Sequence, residues 1–207
     1  MNDLEFAALL VSRVCHDLVS PVGAVVNGLE VLEDETDAEM REDALRLVAS
    51  SAEQATARLQ FARVAYGAAG SAGAELDLTE VARVVGALLK GGKVELAWTA
   101  QAINWPKNWA KLLMNTIVLA AECLPRGGRV SVETSLDPQK RSFKVTATGT
   151  VVRINQDSER ALKGEQAGAL DGRMIQPFLT HLLACSVNVD VTVNVTEAAV
   201  EFAAGTP

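Results

Sequence analysis

At 207 residues, with 49% hydrophobic and 22% charged side chains, the chain can build one or two small domains with real cores. Its net charge of −7 lies wholly in residues 1–70, which hold five arginines and twelve acids, so no basic surface is in view and nucleic acid is a poor partner. No stretch approaches the roughly 20 apolar residues that span a bilayer, and the acidic start MNDLEFAALLVSRV lacks the bases of a secretion signal, which predicts a cytoplasmic protein with no membrane partner.

The first predicted element is a long helix. Its apolar seam runs through Leu4, Val11, Val14 or Cys15, Leu18, Val22, Val25, Leu29 and Leu32 in steps of three and four. At about 100° per residue, His16 falls about 160° from Leu18, on the side away from that seam, so its imidazole is expected in water. Ser12, Arg13, Ser20, Gly23 and Asn27 share the outer face and are mostly small or polar, which would let a partner surface come close to the ring. Pro21 interrupts the same helix. It has no amide hydrogen, and its ring crowds the carbonyl of Asp17, so a bend with that carbonyl unpaired is expected.

An acidic run from Glu30 to Asp43 marks a solvated tip. Thr36 and Glu39 then form a capping-box pattern that opens a second helix, with the seam Leu45, Val48, Ala52, Ala55, Leu59, Ala62 and Tyr66, and Gly67 as the stop. Two such helices make an antiparallel hairpin. A lone hairpin leaves the flanks of so long a seam open, whereas two copies close a four-helix bundle, which predicts a homodimer.

GAAGSAGAE at 67–75 is a linker by composition, and the domain boundary falls there, giving 1–70 and 71–207. Beyond it the pattern predicts a helix over 79–90, a strand over 94–99, a helix from Pro106 through about 124, and strands over 129–136 and 142–154 across the turn DPQK. A helix over 171–185 and a last strand pair within 187–195 and 199–204 follow. Helices mixed with largely antiparallel strands give a two-layer α/β sandwich. Cys15, Cys123 and Cys185 are odd in number and far apart, so they suggest neither a disulfide framework nor a metal knuckle, and reduced, partly buried thiols are expected. His181 lies in an apolar helix and is expected to be structural. Trp98, Trp105 and Trp109 are expected in packing.

The run His-Asp-Leu-Val-Ser-Pro at 16–21 resembles the phosphorylation box of the dimerisation and histidine phosphotransfer domain of bacterial sensor kinases, with Val19 where that box carries a base. The longer run CHDLVSPVGAVVNGLEVL is similar to the ChpT-type histidine phosphotransferases of alphaproteobacterial cell-cycle phosphorelays. Element order and the PRGG ending of the fourth predicted helix resemble the ATP-binding domain of histidine kinases, but the nucleotide motifs are degenerate. Asn115 fits the first asparagine of the kinase N-box. The second, a magnesium ligand, falls on Leu119, and the kinase Asp-x-Gly-x-Gly becomes ATGTV, with Ala147 for the aspartate and Val151 for the second glycine. An apolar side chain cannot hold Mg²⁺ and an alanine cannot accept a hydrogen bond, so no cofactor and no ATP are expected on this chain.

The resemblance implies that His16 is phosphorylated, with a receiver domain of a hybrid histidine kinase as donor and a response-regulator receiver as acceptor, and with Mg²⁺ supplied by the receiver. It implies helper roles for Asp17 and Ser20, although adjacent helical residues do not face each other. Arg13, Ser12, Val19, Gly23 and Asn27 are the candidate docking residues. For Arg13, a bond to a local acid is the competing expectation. Two alternatives stay open: an authentic histidine kinase, and a receiver-binding adaptor without catalysis.

Overall fold

The computed structural model describes residues 2–67, 74–101, 103–135, 137, 140–165 and 174–206. Helix α1 (Asp3–Asp34) starts at a capping box, in which the Asn2 side chain accepts from the Glu5 amide and Glu5 reaches back to the Asn2 amide. Helix α2 (Ala38–Ala65) is capped by Asp37, whose carboxylate accepts the amides of Glu39 and Met40. The cap therefore lies one residue beyond the expected Thr36. Glu35 takes the amides of Thr36 and Asp37, and Arg41 closes the turn by donating to the carbonyls of Leu32 and Glu35 at 2.6 and 2.8 Å.

The seam between α1 and α2 differs from the expected one. Buried or half-buried positions recur at 14, 18, 21, 25, 28 and 32 on α1 and at 44, 48, 51, 55, 58, 62 and 65 on α2. Several are small, and a Cβ at Gly28 would lie 2.6 Å from Val48 Cγ2, so the two helices touch closely there. The larger residues expected in the seam, Leu4, Val11, Val22, Leu29, Leu45 and Leu59, are exposed on the single chain. By length and composition alone α1 is apolar enough to cross a membrane, which corrects the expectation that no stretch approaches this. Its apolar excess reflects these two stripes, one against α2 and one facing outward.

After the hairpin come β1 (Glu75–Asp77), α3 (Leu78–Leu89), β2 (Val94–Trp98), β3 (Asn104–Pro106), α4 (Lys107–Glu122), β4 (Gly128–Thr134), β5 (Ser142–Thr148), α5 (Gln156–Leu162), α6 (Ile175–Ser186), β6 (Thr192–Val195) and β7 (Ala199–Gly205). The five-stranded sheet has the order β2-β4-β5-β7-β6, with β2 parallel to β4 and the rest antiparallel; β1 pairs separately with β3. Alternate residues of the strands, such as Val130 and Val132, Phe143, Val145 and Ala147, and Val200 and Phe202, fill one face. Against them lies α4, which is buried nearly all round, its polar Lys111, Asn115 and Thr116 included. At Gly128, with φ +149°, a Cβ would lie 2.2 Å from the Thr148 carbonyl oxygen, so the PRGG turn needs its glycine.

The chain is thus a helical hairpin followed by an α/β sandwich, as expected. Strand β5 is shorter than the run 142–154, because it stops before Gly149 and the chain then turns into α5. Strands β1 and β3, three residues each, and helix α5 were not foreseen. Trp105 and Trp109 stack edge to face in the core, and His181 gives its Nδ1 to the Leu162 carbonyl at 3.0 Å, the structural role expected of it. Cys123 alone of the three cysteines is buried; Cys15 and Cys185 are exposed.

Candidate functional site

The site is built on α1, one turn before its proline. His16 projects from the helix with 85% of its side chain exposed, as the 100° arithmetic predicts. Its Nδ1 lies 3.3 Å from Asp17 Oδ1, so the two adjacent side chains do meet, contrary to the expectation for a regular helix. Asp17 is held there from behind. Its other oxygen, Oδ2, accepts from Arg13 Nε at 3.0 Å, and Arg13 Nη2 donates to Glu122 Oε1 on α4 at 3.0 Å. An Nδ1–H donated to Asp17 leaves Nε2 as the ring nitrogen with a free lone pair. That nitrogen is on a ring whose side chain is largely in solvent.

Arg13 is therefore engaged with local acids. Only 18% of its side chain is exposed, and it bridges the hairpin to the sandwich rather than standing on the outer face. Burial works against its charge, but Glu122 and Asp17 outweigh burial and its pKa is raised. Of the two expectations for Arg13, the bond to a local acid is present, to Asp17 and Glu122. Ser12, Val19, Ser20 and Asn27 are exposed around His16, and Gly23 is half-buried, with open space where a Cβ would stand.

The carbonyl of Asp17, expected to be unpaired opposite Pro21, has a partner. Arg58 reaches from α2 and donates to it through Nη1. Arg58 is a residue that sequence reasoning passed over, although it is the charged member of the seam series 44, 48, 51, 55, 58, 62, 65. Glu122 was missed too, since nothing in the spacing of a residue 109 positions from Arg13 announces the pair.

A family profile for the histidine phosphotransferase C-terminal domain matches residues 78–199, more than half of the chain. The protein phosphotransferase ChpT of Brucella abortus (strain 2308) is 38% identical over 205 residues, covering 99% of this chain and 97% of that protein. This chain belongs to the histidine phosphotransferase family. A solved bacterial phosphotransferase superposes with a TM-score of 0.89 at 35% identity, over 99% of this chain and 97% of its own. Full-length ShkA, solved in complex with AMPPNP, covers the whole chain with 46% of its own length, at a TM-score of 0.50 and 21% identity, which relates the fold to it and no more.

In this histidine phosphotransferase of the ChpT type, a phosphorelay protein, the positions matched to kinase nucleotide motifs are turned to packing. Asn115 is fully buried; its Nδ2 donates to the Lys111 carbonyl at 2.7 Å, and its Oδ1 accepts from Gln176 Nε2 at 2.6 Å. Gln176 Oε1 in turn accepts from the Tyr66 hydroxyl at the end of the hairpin, at 2.5 Å. Burial raises the Tyr66 pKa, with the Gln176 bond acting against that rise. Leu119 and Ala147 are buried in the apolar core. Between hairpin and sandwich a cavity of about 330 Å³ opens behind Asp17, with Arg13, Arg58 and Glu122 on its polar side and Leu18, Phe61, Leu88 and Val118 among its apolar walls.

Proposed function

We propose that His16 takes a phosphoryl group from the aspartyl phosphate of a receiver domain, that of a hybrid histidine kinase, and passes it to the receiver aspartate of a response regulator. The observation that carries this reading is the exposed imidazole with its Nδ1 against the Asp17 carboxylate at 3.3 Å. The Nε2 lone pair attacks phosphorus in line, the bond from phosphorus to the donor carboxylate oxygen breaks, and the carboxylate leaves. The ring gains a positive charge as Nε2 bonds to phosphorus, its proton stays on Nδ1, and the Asp17 carboxylate stabilises that charge. Return to the acceptor aspartate is the same step reversed. In this reading Ser20, exposed one turn after His16, donates a hydrogen bond to the phosphoryl oxygens, and Ser12, Val19, Gly23 and Asn27 are the residues the receiver docks on. In this reading the Mg²⁺ that the transfer needs is held by carboxylates of the receiver, together with the phosphoryl oxygens.

ATP has no part in this reading. The buried Leu119 and Ala147 offer neither an oxygen for Mg²⁺ nor an acceptor for an adenine amino group, and the Asn115 amide is spent inside the core. We also take residues 1–70 as the dimerisation and phosphotransfer unit, 71–207 as the degenerate ATP-binding-like unit, and the cytoplasm as the place of action. Val22, Val26 and Leu29 on α1 and Leu45 and Leu59 on α2 leave an apolar stripe uncovered, which a second hairpin would cover to close a four-helix bundle. Val22→Asp with Val26→Asp is expected to halve the mass in sedimentation; an unchanged mass would remove the bundle from the account.

The function is tested by offering the purified protein labelled phosphate from a phosphorylated receiver domain and, separately, from Mg-ATP. Label is expected from the receiver alone and absent in His16→Ala. Label from ATP would make the protein a kinase, and label from neither would leave a receiver-binding adaptor.

A further inference from the structure

Arg58 takes no part in the ion pairs that hold the Asp17 carboxylate. It grips the same residue by the backbone, donating through Nη1 to the Asp17 carbonyl from the facing helix, 41 positions along the chain. That carbonyl lacks its helical donor, because the residue four positions on is Pro21. Most half-buried and buried positions of α2 on this side are small or apolar, such as Ala44, Val48, Ala55, Ala62 and Ala65, and a guanidinium in such a row loses solvation that an aliphatic side chain would not. The cavity of about 330 Å³ adjoins both Arg58 and Asp17, so there is room for the backbone at Asp17 to shift if the bond is lost.

We propose that Arg58 is a positioning residue for phosphotransfer. By holding the Asp17 carbonyl opposite Pro21 it fixes the peptide plane that follows Asp17, and so the direction from which the Asp17 carboxylate meets His16 Nδ1. Arg13 then sets the carboxylate and Arg58 the backbone beneath it, two separate constraints on one residue. The outcome is an imidazole with its proton kept on Nδ1 and Nε2 free for the phosphoryl group. This inference rests on the reading of His16 as the phosphoacceptor.

The test uses the full chain with Arg58→Met, which keeps the packing stem and removes every donor, and with Arg58→Lys, which restores a cationic donor group. Transfer of labelled phosphate from a phosphorylated receiver is followed at saturating receiver, and the His16 tautomer is read from its ¹⁵N resonances. Arg58→Met is expected to slow transfer by about 10- to 100-fold, the order of loss that a displacement of about 1 Å at a reacting group produces. The half-saturating receiver concentration should stay put, the ¹⁵N signals should shift from Nδ1-protonated towards a mixture, and Arg58→Lys should recover most of both. A folded Arg58→Met with wild-type rate and wild-type tautomer would overturn the inference. So would failure of both Arg58→Met and Arg58→Ala to fold, which would make Arg58 a purely structural residue. If the wild-type protein itself takes no label from the receiver, the reading of His16 fails first, and that result is visible before any variant is compared.

Discussion

Two polar clusters join the hairpin to the sandwich, and they are opposite in kind. Arg13, Asp17 and Glu122 make a charged cluster that ends on the exposed His16 ring. Tyr66, Gln176 and Asn115 make a neutral chain, with Gln176 and Asn115 sealed inside. Charges need water or a fixed counter-charge, so the first cluster can exist only at the rim, where a partner can also reach it. Neutral donors and acceptors matched one to one can be buried outright, and they act as a fastener. If His16 is the phosphoacceptor, reactivity lies with the charged cluster alone, although both clusters span the same boundary.

Substitutions in the two clusters should then affect different quantities. The largest effect is expected from Asp17→Ala, which removes the partner of Nδ1 and should slow receiver-to-His16 transfer by about 10²-fold with little change in the unfolding midpoint. Comparable transfer rates in rapid-quench measurements would make the charged cluster a mere fastener and erase the distinction. Gln176→Leu works the other way. It leaves the Tyr66 hydroxyl and Asn115 Oδ1 without their partner and should cost about 1–3 kcal/mol for each group stranded, read from urea unfolding. Transfer by the folded fraction should stay at the wild-type rate; a selective loss of transfer would tie the buried chain to the chemistry.

The smallest effect concerns alkaline pH. Burial pushes the Cys123 thiol up to about 12, with Glu122 adding to the rise, and burial also raises the Tyr66 phenol, so both stay protonated in the fold. The unfolded chain releases these protons earlier. Stability from Cys123 is therefore complete below the ordinary thiol value of 9.0 and is lost as pH climbs towards 12. Unfolding temperatures should fall over that window, and Cys123→Ala should flatten the fall; an unchanged slope would place the titration elsewhere.

Much of this was legible in the sequence because it is local. The exposure of His16 follows from the angle it makes with the seam, and the helical hairpin follows from spacing alone. The exact seam did not follow. Size favours Leu45 and Leu59 as core residues, yet close approach of two helices at Gly28 selects small partners and turns the larger side chains outward. The grip on Asp17 was hidden for a different reason. The missing amide of Pro21 announces an orphan carbonyl, but the donor, Arg58, is chosen by the crossing of two helices, and Glu122 by the docking of α4. Asn115 looked like a remnant of nucleotide chemistry, and only the position of Gln176, 61 residues away, shows its amide at work in packing.

The central claim concerns one atom. After transfer from a phosphorylated receiver, the protein should carry a single phosphohistidine, and NMR of the ¹⁵N-labelled product should place phosphorus on Nε2 of His16, with Nδ1 still protonated against Asp17. Phosphorus on Nδ1, or label held by a residue other than His16, would contradict the account.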